Sequence, residues 1–267
     1  MNKIEQQMVE ILKDLKENCG AISARAEFEA EGTKMEELLR LKEICMVAGL
    51  GLTLKIGGCE SIRDMLEVRT VGVNYIVAPM VESAYAMRKY LQAVHKIFPQ
   101  EELESIEILC NIETAAACKS LDAMLEVPEI GTLNGIVLER VDLCFSMGRS
   151  DQCINDDDIN QMVLEAITKA KEKHLTCAIG GGVSADSLPF FERIPKGYLD
   201  RFETRKVCFR WQDTKNGNKE KAILKALGFE ALWLRNKLTY YQGIASADAQ
   251  RMNLIEQRYW KAISTLL

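Results

Sequence analysis

The sequence predicts a TIM-like β/α barrel with a helical C-terminal extension. Three observations lead there. Short apolar stretches alternate with longer amphipathic ones, the mark of a parallel sheet covered by helices. The apolar stretches carry few charges, as strands buried on both faces do. The length of 267 residues is close to the ~250 typical of such a barrel.

Strands are expected at 21–28, 52–56, 73–78, 105–113, 133–139, 175–182 and within 197–211. Helices are expected at 33–49, 61–72, 83–98, 115–127, 156–174 and, despite Pro189, 184–194. The helix over 33–49 places Leu38, Leu39, Leu41, Ile44, Cys45 and Ala48 near one face. The helix at 156–174 opens on three aspartates, which suit the positive end of its dipole. Seven strands can be placed, whereas a closed barrel normally has eight. Either one strand is disguised or the barrel is irregular, and a doubly wound open sheet is the alternative. The charged N-terminal stretch reads as an amphipathic helix rather than a secretory signal.

No linker rich in Pro, Gly or Ser interrupts the middle, so residues 1–216 are read as one barrel domain. Residues 217–267 differ in kind. Two helix-like segments follow each other with no strand between them, and Trp233, Tyr240, Tyr241, Tyr259 and Trp260 fall within them. They either pack on the outside of the barrel or contact a second subunit, since interface cores are rich in aromatics.

Apolar residues make up 48% and charged residues 27%, with a net charge of −5. That balance gives no electrostatic reason to coat nucleic acid or an anionic membrane. No run of apolar residues is long enough to span a bilayer. Nine cysteines are scattered with no C-x-x-C pair, which suggests reduced thiols and a cytoplasmic protein without a cysteine zinc site.

In such a barrel, functional groups gather at the C-terminal ends of the strands. Charges cluster there: Glu27 and Glu29, Lys55, Glu82, Asn111 with Glu113, Glu139 with Arg140 and Asp142, then Glu203, Arg205 and Lys206. A strand would not bury Lys55 or Glu113 without a partner, because an unpaired buried charge is costly. Side-chain alternation puts Asn111 with Glu113 on one face, and Arg140 with Asp142 on another. Acidic side chains from adjacent strands make a hard-oxygen site suited to Mg²⁺ or Mn²⁺. Gly180, Gly181 and Gly182 either cradle a phosphate through their N–H groups or simply form a tight turn, and the turn is the plainer reading. Arg205 and Lys206 either bind an anionic substrate group or pair with Glu203.

Four stretches carry a family resemblance: LTLKIGGCESIRDM (52–65), VAPMVESAYAM (77–87), ILCNIETAAA (108–117) and GIVLERVDLCFSMG (135–148). In content, order and spacing they resemble the HpcH/HpaI aldolase/citrate lyase family. The resemblance implies a TIM barrel, often assembled into homo-oligomers by exchange of a C-terminal helix. It implies cleavage or formation of a carbon–carbon bond beside a small oxo acid, held as an enolate on a divalent metal. Glu113 and Asp142 match the two metal ligands. Lys55 stands where the family aldolases keep an arginine, and lysine makes no planar two-pronged contact. The early-strand histidine base of those aldolases is missing, since that stretch here reads AEFEAEG. His95 and His174 fall on helix ends away from the rim. Glu27 or Glu29 are therefore the candidate bases, with Arg140 a further catalytic candidate. Asn111, Gly181, Gly182 and Arg205, with Lys55, are the candidate substrate contacts. The competing class is a non-catalytic binding protein that kept the barrel and lost the base.

Overall fold

The computed structural model describes residues 1–214 and 218–266. Helix α1 (Lys3–Cys19) precedes β1 (Ala21–Glu27) and is closed by a capping box between Asn2 and Glu5. There follow α2 (Met35–Ala48), β2 (Gly51–Lys55), α3 (Ile62–Val71), β3 (Tyr75–Ala78), α4 (Ala84–Ile97) and the short α5 (Gln100–Leu103). Next come β4 (Glu107–Ile112), α6 (Ala115–Leu125), β5 (Gly135–Glu139), α7 (Arg140–Ser146) and α8 (Asp157–Glu172). The last part holds β6 (Thr176–Gly180), α9 (Leu188–Arg193), β7 (Arg201–Glu203), β8 (Val207–Arg210) and α10 (Lys219–Leu266).

The eight strands close into a barrel in chain order. The first seven run parallel, and β8 is antiparallel to both β7 and β1. This resolves the missing strand. The segment expected to hold one strand (197–211) holds a hairpin, with β7 and β8 joined by the turn at 204–206. Such a short connection permits only antiparallel pairing. Phe202 stacks on Phe209 across that hairpin, with ring centroids 4.8 Å apart.

The main core lies between the barrel and its helices. The interior is layered. Val77, Leu109, Val137 and Ala178 make a small apolar plug in its middle. On the same strand faces, Arg201 pairs with Glu107 at 2.7 Å and lies over the Tyr75 ring at the lower end. Toward the C-terminal ends of the parallel strands the interior turns charged, with Arg25, Glu27, Glu139 and Glu203 all buried.

Two further expectations need correction. The tail is one helix of 48 residues, not two. Ala222, Ile223, Ala226, Phe229 and Trp233 make a buried stripe on it, whereas residues 242–262 are exposed throughout. The expected domain boundary at 216–217 lies outside the described residues. The cysteines are not all thiols either. Cys144 on α7 is bonded to Cys153 in the 3₁₀ turn Asp151–Asn155, because that turn folds back onto the helix and brings their Cα atoms to 6.4 Å. The other seven are free.

The two ends of α10 should respond differently to truncation of a tryptophan. Trp233→Ala is expected to cost about 3–5 kcal/mol. Trp260→Ala should stay within about 0.5 kcal/mol. Urea unfolding of both variants at low protein concentration checks this.

Candidate active site

A cavity of about 760 Å³ opens at the C-terminal ends of the parallel strands. Its floor is built by the strand ends. Glu27 closes β1 directly beside Lys55 of β2, and Glu139 closes β5 directly beside Gly180 of β6. Asp142 enters from the first turn of α7, and Glu203 from the end of β7. Helix α10 supplies an outer wall with Leu227, Glu230, Trp233, Leu234 and Lys237.

One arginine organises the floor. Arg25 is 3% exposed, and its guanidinium lies 2.7 Å from Glu139, 3.2 Å from Glu27 and 3.3 Å from Glu203. Burial opposes its charge, but the three carboxylates outweigh burial and hold its pKa well above normal. Lys55 lies 3.4 Å from the other oxygen of Glu27. Burial pushes the Glu27 carboxyl up, yet Arg25 and Lys55 more than offset that and leave its pKa below the ordinary value.

The remaining acids go the other way. Burial holds Glu113, Asp142 and Glu203 above the usual carboxylate range, and in each case Glu139 adds to the effect. Glu27, Glu113, Glu139, Asp142 and Glu203 thus cluster around Arg25 and Lys55, with Arg205 also attracting Glu27 and Asp142 and Arg201 also attracting Glu203. Glu113 accepts from the Met80 N–H at 2.6 Å and from the Asn111 amide at 2.7 Å. Met80 adopts φ 55° to present that N–H, a backbone state uncommon outside glycine. The buried Asn111 Oδ1 has no hydrogen-bond partner among the described residues.

Of the residues expected from sequence, Glu27, Lys55, Asp142, Gly181, Gly182 and Arg205 meet at the cavity. Asn111 and Glu113 are buried rather than lining it, although Glu113 feels the charge of Lys55. Glu29 is exposed and stands away from the lining, over Gly57. Arg140 is not a cavity group. It is fully buried and donates to the carbonyls of Ile154, Gly180 and Gly181, to Asn155 Oδ1 and to Ser187 Oγ. It clamps the loop after β6 to α7, and burial pushes its pKa down to about 10.

The glycines answer to that same packing. A side chain at Gly180 would strike the Glu139 carboxylate at 2.8 Å, and one at Gly181 would strike the Arg140 nitrogen at 2.4 Å. Arg205 and Lys206 pair with Glu31 and not with Glu203, which leaves Glu203 to Arg25. His95 bonds Thr132 and, like His174, lies away from the cavity.

Sequence reasoning passed over Arg25 and the wall from α10. The signal for Arg25 was a charge in the middle of an apolar strand, on the same face as Glu27. The wall had no such signal, because only the course of the helix brings it to the mouth.

Comparison with known proteins agrees with this architecture. The HpcH/HpaI aldolase from Desulfitobacterium hafniense DCB-2 superposes with a TM-score of 0.55 at 14% identity, over 72% of this chain and 88% of that one. The citrate synthase SbnG superposes with a TM-score of 0.59 at 16% identity, over 84% and 89%. A HpcH/HpaI aldolase/citrate lyase family protein from Burkholderia cenocepacia J2315 gives 0.59 at 10% identity, over 71% and 80%. At these identities the likeness is one of fold. No curated protein matches the chain. The family model for HpcH/HpaI aldolase/citrate lyase matches residues 55–206, a span that runs from Lys55 through Glu113, Asp142 and Glu203 and takes in more than half of the sequence. The chain belongs to the HpcH/HpaI aldolase/citrate lyase family.

Proposed function

We propose that this lyase is a divalent-metal-dependent aldolase that cleaves or forms a carbon–carbon bond beside a small 2-oxo acid, by way of an enolate. The observation that carries the reading is the excess of carboxylate over cation at one end of the barrel, with Asp142 and Lys55 on the same cavity. Carboxylates left short of positive charge either take up a proton or bind a cation.

The donor set suits Mg²⁺ or Mn²⁺. It is made of oxygens only, and the unpartnered Asn111 Oδ1 stands beside Glu113. Among the described residues no three of His, Cys, Asp and Glu converge into a closed cage. Mg²⁺ is commonly held by one or two carboxylates, with water and substrate oxygens completing its shell. Glu113 and Asp142 are the residues that would hold the metal, which when bound supplies a Lewis acid for enolate charge.

The chain's own residues account for the rest. Lys55 is pinned at its strand end by Glu27 and sets a fixed positive charge where the enolate develops. Arg205 is about half exposed at the lip and suits a distal anionic group of the substrate. The backbone at Gly181 and Gly182 forms the opposite side. The exposed apolar residues of the outer half of α10, including Ile255, Tyr259 and Trp260, support a homo-oligomer.

Two measurements test the reading. Mn²⁺ binding followed by calorimetry should be tight, strengthened by pyruvate, and at least about 100-fold weaker in Glu113→Gln and in Asp142→Asn. Absence of binding in the wild type would sink the metal-dependent reading. Metal and pyruvate binding without turnover of any 4-hydroxy-2-oxo acid would favour a binding protein instead. The second measurement uses pH. Glu113, Asp142 and Glu203 have raised pKa values in the folded state. The stability they contribute is therefore present below the unfolded pKa of about 4 and is lost as pH rises through the folded values. A bound cation relieves that loss, so the rise in Tm on adding Mn²⁺ should be larger near pH 8 than near the unfolded carboxylate pKa of about 4.

A further inference from the structure

An aldolase of this kind needs a group to take the substrate's hydroxyl proton, and the stretch AEFEAEG offers no histidine for it. The two carboxylates first considered are poorly placed. Glu29 is off the cavity, and Glu27 has one oxygen against Arg25 and the other against Lys55. A carboxylate held by two cations is a weak base.

Glu203 differs on each count. It ends β7, lines the cavity and is 3% exposed. Its Oε2 is buried with no hydrogen-bond partner among the described residues, although Arg25 Nη1 stands 3.3 Å away. The cations expected to neutralise it, Arg205 and Lys206, are taken by Glu31. We propose that Glu203 is the carboxyl group that exchanges a proton with the substrate hydroxyl during carbon–carbon cleavage and condensation. This rests on the lyase reading above.

The surroundings suit such a role. Arg25 of β1 attracts the charged form, while burial and Glu139 of β5 oppose it more strongly. Arg201, two residues earlier on β7, favours the charged form, and Glu27 of β1 shares Arg25. The Cys208 thiol of β8 lies directly across the hairpin, is itself held neutral by burial, and also favours the charged form of Glu203. The resulting upward shift moves a carboxyl toward neutral pH, where a proton-transfer group is most effective.

The step balances. In cleavage, the Glu203 carboxylate takes the proton of the C4 hydroxyl and the C4 oxygen becomes an aldehyde. The C3–C4 bond breaks, and its electron pair passes into the enolate of the 2-oxo acid. In condensation the same proton returns from Glu203 to the new alkoxide.

The test uses Glu203→Gln and Glu203→Asp in the full chain with Mn²⁺. For Glu203→Gln, kcat for cleavage of a 4-hydroxy-2-oxo acid should fall at least about 100-fold. Its KM and the calorimetric binding of Mn²⁺ and pyruvate should stay within a few-fold. The rising limb of the wild-type pH profile should vanish, and Glu203→Asp should restore part of the rate. An infrared pH titration of the wild type should show a carboxylic-acid band that persists above the pH at which a free glutamate, pKa about 4.3, ionises and that Glu203→Gln removes. Wild-type turnover in Glu203→Gln, an equal loss of pyruvate binding, or the absence of that band would each overturn the assignment. A wild-type protein that cleaves no such acid would overturn the lyase reading and the assignment with it. The two failures are distinguishable, because the first appears only in the variant and the second in the parent.

Discussion

The charged end of this barrel depends on Arg25. A buried guanidinium must find acceptors for its N–H groups, and this one draws carboxylates from β1, β5 and β7 to one point. That single group ties together strands that share no backbone hydrogen bonds. It also sets an imbalance. One guanidinium cannot neutralise three carboxylates, and Lys55 forms its ion pair with Glu27. Of the acids paired to it, Glu27 is held below the ordinary carboxylate range and Glu203 above it. Proximity to Arg25 alone does not decide which is which. The difference lies in burial, which outweighs the attraction of the cations at Glu203 but not at Glu27.

The loops are held in a different way. Arg140 satisfies neutral carbonyls and side-chain oxygens rather than acids, and by doing so fixes the loop after β6 against α7. Glycines at 180 and 181 allow the approach, since a Cβ at either would collide with Glu139 or with the Arg140 backbone. Asp142 is thus carried on a helix whose first residue is the clamp itself. Charge chemistry on the floor and neutral hydrogen bonding behind it use adjacent residues of one short stretch.

Much of the barrel was legible in the sequence because its parallel strands are apolar runs bounded by turns. The alternation also located the charged rim, and Lys55, Asp142 and Glu27 do share a cavity. What escaped has physical reasons. The β7–β8 hairpin read as one strand because Thr204, Arg205 and Lys206 interrupt the apolar pattern without a glycine or proline. Arg140 read as a rim charge because alternation says nothing once a strand passes into a helix at Glu139. The pairing of Arg205 and Lys206 with Glu31 joins residues far apart in sequence, which no local pattern encodes. The two helix-like segments of the tail are one helix because the stretch between them, 242–246, holds nothing worse than Gly243, and an isolated glycine costs a helix only about 1 kcal/mol.

The antiparallel β8 has a geometric consequence for the mouth of the cavity. Because the last strand runs downward, the chain leaves the barrel at the N-terminal end of the parallel strands, where the Arg210 N–H meets the Gly20 carbonyl beside β1. Helix α10 must then climb the full height of the barrel beside α1, passing Asp14 at Lys225 and Asn2 at Asn236. Along that course Leu227, Glu230, Leu234 and Lys237 face the cavity as a stripe at helical spacing. The wall is therefore indexed from below, like the thread of a screw. Removing a single residue from the lower turns would rotate every residue above it by about 100°. The mouth would then present a different set of side chains, though no residue at the mouth had changed.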